Sequence, residues 1–228
     1  MSILIFFDIN GTLIKRDSRT DLPFSEAVDR TLSLSDAMNG VNTAARSDMD
    51  VFMEVLSKFE IEYTNDLWET LMHHYKDALE RYKSTDVWRE NADAIACLDY
   101  LKNQPVYLSL ITGELSIGAQ YKLEKLGIWH HFPTGGFGED GLTRFEIADK
   151  ALEKAIAHYN RDFQKIYVIG DTLLDIKTAR HLNAKIISIT TGANTREELS
   201  TQSPDYLIDT FMNDNIWSSI LAEDWGQA

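Results

Sequence analysis

Cysteine is nearly missing from this 228-residue chain: Cys97 stands alone, so no intramolecular disulfide can form and the fold must rest on its own core. The length supplies that core, either as one large domain or as a medium domain carrying a smaller one. Cys97 lies in an apolar helical pattern with Ala92, Ile95, Ala96 and Leu98, and reads as a packed thiol, not a nucleophile. A reducing, cytoplasmic setting is the expected location. Proline is scarce, with four in all, and no low-complexity tract or fixed repeat interrupts the chain. Long apolar runs are also missing. The opening run, Ile3 to Phe7, has neither a basic start nor a small-residue cleavage site, and nothing approaches the roughly 18 apolar residues of a membrane helix. With 25% charged residues and a mean hydropathy of −0.26, a water-soluble globule is expected, without export or membrane spanning.

Positive charge is in deficit as well. Lysine and arginine total 22 against 36 acidic residues, a net charge of −14, with a pI near 4.8. Such a chain repels nucleic acid and anionic membranes at long range. It also repels a small phosphate ester, so any anion site must be assembled locally from a cation and a few cationic side chains or amides. The six histidines fall as neighbours (His73 and His74, His130 and His131) or singly, without zinc-ligand spacing.

What is present is an alternation. Short β-type runs occur at Ile3–Phe7, Val106–Ile111, Ile166–Ile169, Lys185–Ile189 and Tyr206–Ile208, and continuous apolar runs suit buried parallel strands. Helical patterns separate them near Asn91–Lys102, Ile117–Lys125, Ile147–His158, Leu174–Leu182 and Asn213–Ala222. The expected class is α/β, a doubly wound, Rossmann-like parallel sheet. From Lys15 to Trp88 the alternation stops, with helical patterns at Phe24–Met38, Asp48–Phe59 and Asn65–Tyr82. Residues 15–88 therefore read as a helical cap inserted into a core of residues 1–14 and 89–228, placed over the ligand-binding edge of the sheet. Trp129, Phe132 and Phe137 read as packing residues, as does a terminal helix over Trp217–Trp225.

Three strand ends carry polar groups to one edge. The first run ends in Asp8-Ile9-Asn10-Gly11-Thr12, with Gly11 allowing a sharp turn. The second ends in Thr112-Gly113, offering a hydroxyl and free backbone N–H groups. The third runs into Gly170-Asp171-Thr172-Leu173-Leu174-Asp175, with two carboxylates one helical turn apart. Each alone also reads as a cap or turn; together they suit an oxygen-ligated Mg²⁺ and a carboxylate able to attack phosphorus.

In these motifs and their order the chain resembles the haloacid dehalogenase (HAD) superfamily, in its phosphatase branch with an α-helical cap, of the phosphoglycolate phosphatase-like kind. The resemblance implies an enzyme acting on a small phosphorylated metabolite, with Asp8 as nucleophile and Thr112 and Gly113 holding the transferring phosphoryl group. It implies Mg²⁺ held by Asp8, the Asn10 backbone carbonyl, Asp171 and Asp175. The family's third motif is usually a lysine; the candidate here is Arg144, which reads equally as a phosphate grip and as a surface ion pair. Lys150 and Lys122 compete with it and read as solvated helical lysines. Arg46, in the small and polar stretch Asn42–Asp48, can meet a second anionic group or stand as a solvated loop arginine.

Asn10 departs from the family, which carries there the aspartate that protonates the leaving group and activates water. An amide does neither, and losing such a group costs on the order of 10²–10⁴ in rate. Three readings follow: an engineered substitution, a natural site for leaving groups that need little protonation, or a chain turned to phosphate binding and regulation. A phosphotransferase or mutase is a variant of the first two. Dehalogenation is disfavoured by the retained metal-motif carboxylates, and phosphonate hydrolysis by the want of a distinctive cap lysine.

Overall fold

Along the first strand, β1 (Ile3–Phe7), every residue is buried, because alternate side chains enter two separate cores. Ile3, Ile5 and Phe7 point to one face of the sheet and Leu4 and Phe6 to the other. Burial on this scale stabilises by about 1.5–3 kcal/mol per large side chain. The computed structural model describes residues 2–43, 46–212 and 214–222. Residues 44 and 45 of the expected cap loop, and the expected tail helix beyond residue 222, lie outside the described residues.

Five more strands follow: β2 (Val106–Ile111), β3 (Gly135–Gly136), β4 (Lys165–Gly170), β5 (Lys185–Ile189) and β6 (Tyr206–Ile208). All pair in parallel in the order β3-β2-β1-β4-β5-β6. The order reverses about β1, so β2, β1 and β4 are neighbours at the topological switch point, where an open α/β sheet presents its binding crevice. The α/β class and parallel sheet expected from the sequence are those observed. β3 was not foreseen: two glycines carry no apolar signal.

On one face lie α4 (Ala94–Leu101) and α5 (Ser116–Lys125), and on the other α6 (Arg144–Tyr159) and α7 (Leu173–His181). The short α8 (Arg196–Ser200) precedes β6, and α9 (Asp214–Ala222) ends the described chain. No helix among the described residues is long and apolar enough to cross a membrane.

Between β1 and β2 come α1 (Leu22–Leu32), α2 (Asp48–Lys58) and α3 (Asn65–Lys83). α1 packs on α3 through Phe24 and Tyr75, whose rings meet edge-on at 5.4 Å, and through Glu26, which accepts from Arg81 and Tyr82. α1 is shorter than expected. Ser33 turns left-handed, and the Asp29 carboxylate captures the Asp36 and Ala37 amides that a longer helix would have used internally. The chain leaves and re-enters the sheet side by side: Ile14 bridges Glu90, and the Lys15 N–H donates to the Arg89 carbonyl. α2 is tied back to the sheet edge by the Asp48 N–H on the Gly113 carbonyl at 2.8 Å.

Candidate active site

Each strand end contributes what its local sequence dictates. The Asp8 N–H still belongs to the ladder, donating to the Ile169 carbonyl at 2.9 Å, so the side chain is launched from rigid sheet. Three residues on, Gly11 adopts φ +91°, and a side chain there would collide with the Asp171 carboxylate; only glycine lets the first loop approach the third so closely. Asn91 completes this turn, its amide donating to the Gly11 and Thr12 carbonyls at 3.2 and 2.7 Å. That commitment, with left-handed Asp93, delays α4 to Ala94, later than periodicity alone suggests.

Asp8, Asn10, Thr112, Gly113, Arg144, Asp171 and Asp175 line one cavity of about 360 Å³ between the sheet edge and the inserted helices. Asp171 is fixed by Thr12 Oγ1 at 3.2 Å and the Ala193 N–H at 2.5 Å. Asp175 caps α7: its Oδ2 accepts from the Thr172 N–H and hydroxyl at 3.0 and 2.7 Å. Its Oδ1 receives Arg144 at 2.8 Å, and the same guanidinium nitrogen reaches Asp8 Oδ1 at 2.6 Å. Arg144 is therefore no surface ion pair: its side chain is 10% exposed, and it bridges two site carboxylates. Nor does it precede the helix, as the sequence suggested. It opens α6, which the Thr143–Glu146 capping box starts three residues early.

The amides after β2 are only partly free. The Thr112 N–H is taken by the Gly136 carbonyl of β3 at 3.0 Å, and the Glu114 N–H by Thr112 Oγ1 at 3.3 Å. That corrects the expected row of free donors; the Gly113 N–H is the one left without a partner among the described residues. Gly113 itself is required where Arg46 passes, since a Cβ would strike the Arg46 backbone.

Burial and crowding raise the acids. The Asp8 carboxyl is pushed up to about 8, by burial first, with Asp175 and Asp171 adding to it and Arg144 opposing. Asp171 rises to about 6, by burial and then Asp175. Burial works against the Arg144 charge, but Asp8 and Asp175 outweigh it and hold the guanidinium protonated.

Two expected readings change. Lys122 is not solvated: at 1% exposure it forms an ion pair with Glu114 and lies 3.5 Å from Asn10 Oδ1. Its ring neighbour is Trp88, at 6.0 Å. Lys150 is exposed and pairs with Glu153. Arg46 does line the cavity, but its guanidinium is held by Asp50 at 2.6 Å and by Glu54. Glu114 also accepts from Tyr75 at 3.5 Å. Because Lys122 is the cation set against buried Glu114, Lys122→Met is expected to cost about 3–5 kcal/mol, read as a lowered urea midpoint. Adding Glu114→Gln should recover most of that loss, whereas additive effects would show that the pair is not coupled.

A family model described as haloacid dehalogenase-like hydrolase matches residues 5–180, and a HAD-hydrolase-like model matches residues 148–213. The phosphoglycolate phosphatase of Colwellia psychrerythraea is 27% identical over 91% of this chain and 93% of its own. That of Agrobacterium fabrum is 27% identical over 92% and 90%. A crystallographic hydrolase from Pseudomonas syringae superposes with a TM-score of 0.69 at 19% identity, covering 96% of this chain and 99% of that one. The chain belongs to the haloacid dehalogenase-like hydrolase family.

Proposed function

We propose that this hydrolase removes the phosphoryl group from a small phosphate monoester through an aspartyl-phosphate on Asp8, with Mg²⁺ as cofactor and residues 15–88 as the cap. Family membership makes the chain an enzyme of the HAD phosphatase kind. The observation that carries the mechanism is Arg144, one nitrogen of which touches both Asp8 and Asp175 on a sheet edge shared with Thr112 and Asp171.

Asp8, Asp171 and Asp175 are hard oxygen donors suited to magnesium. With Arg144 as the cation in contact with two of them, they leave a surplus of buried negative charge, which a divalent ion fits. Asp8, Asp171, Asp175 and the Asn10 backbone carbonyl would hold it. No group of three or more acidic, histidine or cysteine side chains is preassembled to enclose an ion among the described residues, and Asp175 has both oxygens engaged. The Asp175 Oδ1 that accepts from Arg144 keeps a second lone pair for an ion. When bound, Mg²⁺ supplies charge neutralisation for the phosphoryl oxygens and the attacking carboxylate.

One Asp8 oxygen then attacks phosphorus, the ester oxygen departs with its electron pair, and a water molecule later splits the acyl phosphate. Thr112 Oγ1, the Gly113 N–H and Arg144 are placed to take the three equatorial oxygens. Asn10 can donate a hydrogen bond to the leaving oxygen but no proton. That substitution favours a second reading, a chain that binds phosphate and turns over poorly. Mg²⁺-dependent phosphate release from an aryl phosphate separates the two; no release with a correctly folded protein would favour the binding reading.

A metal test follows without reference to turnover. Saturating Mg²⁺ at about 100 times its dissociation constant should raise the melting temperature by roughly 5–10 °C, and Asp171→Asn should abolish that rise. An equal rise in the variant would place the ion elsewhere.

A further inference from the structure

The cavity has a wall beyond the phosphoryl site, and its chemistry bears on what the phosphate is attached to. The inference rests on the phosphatase reading above. In an in-line displacement the leaving oxygen lies opposite Asp8, near the position where acid–base chemistry belongs, which is Asn10. From Asn10 the path runs to Lys122 at 3.5 Å, to Glu114 paired with it, and to Tyr75 at 3.5 Å from Glu114. Asp48 and Asp21 line the same side of the cavity with Phe24. Asp48 holds the Leu115 N–H at 2.9 Å with one oxygen.

Cations on this wall are already used. Lys122 is taken by Glu114, and Arg46 by Asp50 and Glu54, which do not line the cavity. Arg16 lies on the Asp171 side, donating to the Ala193 carbonyl at 3.5 Å. One acid keeps an oxygen without a partner. Glu114 is 5% exposed, and its Oε2 has no hydrogen-bond partner, a buried acceptor left for a donor from the ligand. Carboxylates beside the Tyr75 and Phe24 rings, which meet edge-on at 5.4 Å, form the surroundings that stabilise an ammonium group.

We propose that the substrate is the phosphate ester of an amino alcohol, its protonated amine lying among Glu114, Asp48 and Asp21. A carboxylate in the same place would meet Asp48 and Asp21 as like charges, with Lys122 already paired to Glu114 and Arg46 to Asp50 and Glu54.

Three esters of matched length test this: O-phosphoethanolamine, ethyl phosphate and 2-phosphoglycolate, each as a competitive inhibitor of aryl phosphate hydrolysis, so that slow turnover of alkyl esters does not hide binding. The cationic ester is expected to bind about tenfold or more tighter than the neutral one, and the anionic ester about tenfold or more weaker. Asp48→Asn and the exposed Asp21→Asn should each narrow the cationic-to-neutral ratio. Equal inhibition by all three, preference for phosphoglycolate, or a ratio untouched by both substitutions would overturn the amine inference while aryl phosphate hydrolysis keeps the phosphatase reading intact. Absence of aryl phosphate hydrolysis would overturn both.

Discussion

Asn10→Asp is expected to raise kcat/KM for an alkyl phosphate by about 10²–10³-fold while changing kcat/KM for an aryl phosphate far less. An alkoxide leaves badly without a proton; an aryloxide leaves nearly unaided. Asn10 lines the cavity with its Oδ1 facing Lys122 at 3.5 Å, and because an ammonium can only donate, that contact fixes the amide orientation. An aspartate there gains the same neighbour, which favours its charged form and leaves less of it protonated to donate, so the gain should fall short of the full range for general acid catalysis. Steady-state kinetics on both esters check this. Equal acceleration of both would show that residue 10 acts by position and not by proton transfer.

Asp8→Asn should have two opposite effects. Turnover falls by about 10⁴-fold or more, because the amide cannot form the covalent intermediate. Stability of the metal-free protein rises at alkaline pH. In the folded chain Asp8 titrates near 8 against 3.8 ordinarily, raised by burial and by Asp175 and Asp171. A carboxyl raised on folding contributes stability that is complete below about pH 4 and is lost as pH climbs to 8, because over that window the unfolded chain gives up a proton that the native chain retains. Asparagine has no such penalty. In chelator at pH 8 the variant should be more stable than the parent by on the order of 2 kcal/mol, or roughly 4–8 °C, with the gap shrinking at pH 5. Thermal melts at the two pH values read this directly; a variant destabilised equally at both would mean that Asp8 is held as a comfortable anion by Arg144.

The strands could be read from the sequence because both sheet faces are covered, which makes each strand a continuous apolar run. Positions set by side chain to backbone hydrogen bonds could not. Asn91 and Asp29 reset the bounds of α4 and α1 through carboxamide and carboxylate contacts that periodicity does not see. Arg144 was half readable: its proximity to Asp8 depends on the fold, but the Thr143–Glu146 capping box that opens α6 stands in the sequence. Lys122 was the costliest misreading. It lies on the apolar stripe of Leu115, Ala119 and Leu123, all buried, so its spacing pointed inward, yet its partner Glu114 lies in the turn before α5 and only the folded chain brings the two together. Of the site, the strand-end carboxylates and Thr112 were visible as motifs, whereas the acidic wall of the cavity is assembled from three separate segments, around Asp21, Asp48 and Glu114.

The most direct test of the account is to supply Mg²⁺ and a labelled phosphodonor, quench in acid within the first turnover, and map the label by mass spectrometry. The account predicts phosphate on Asp8, lost in Asp8→Asn and retained longer in the parent than in Asn10→Asp, where water is activated faster. Turnover with no label on Asp8, or with label on another residue, would contradict it.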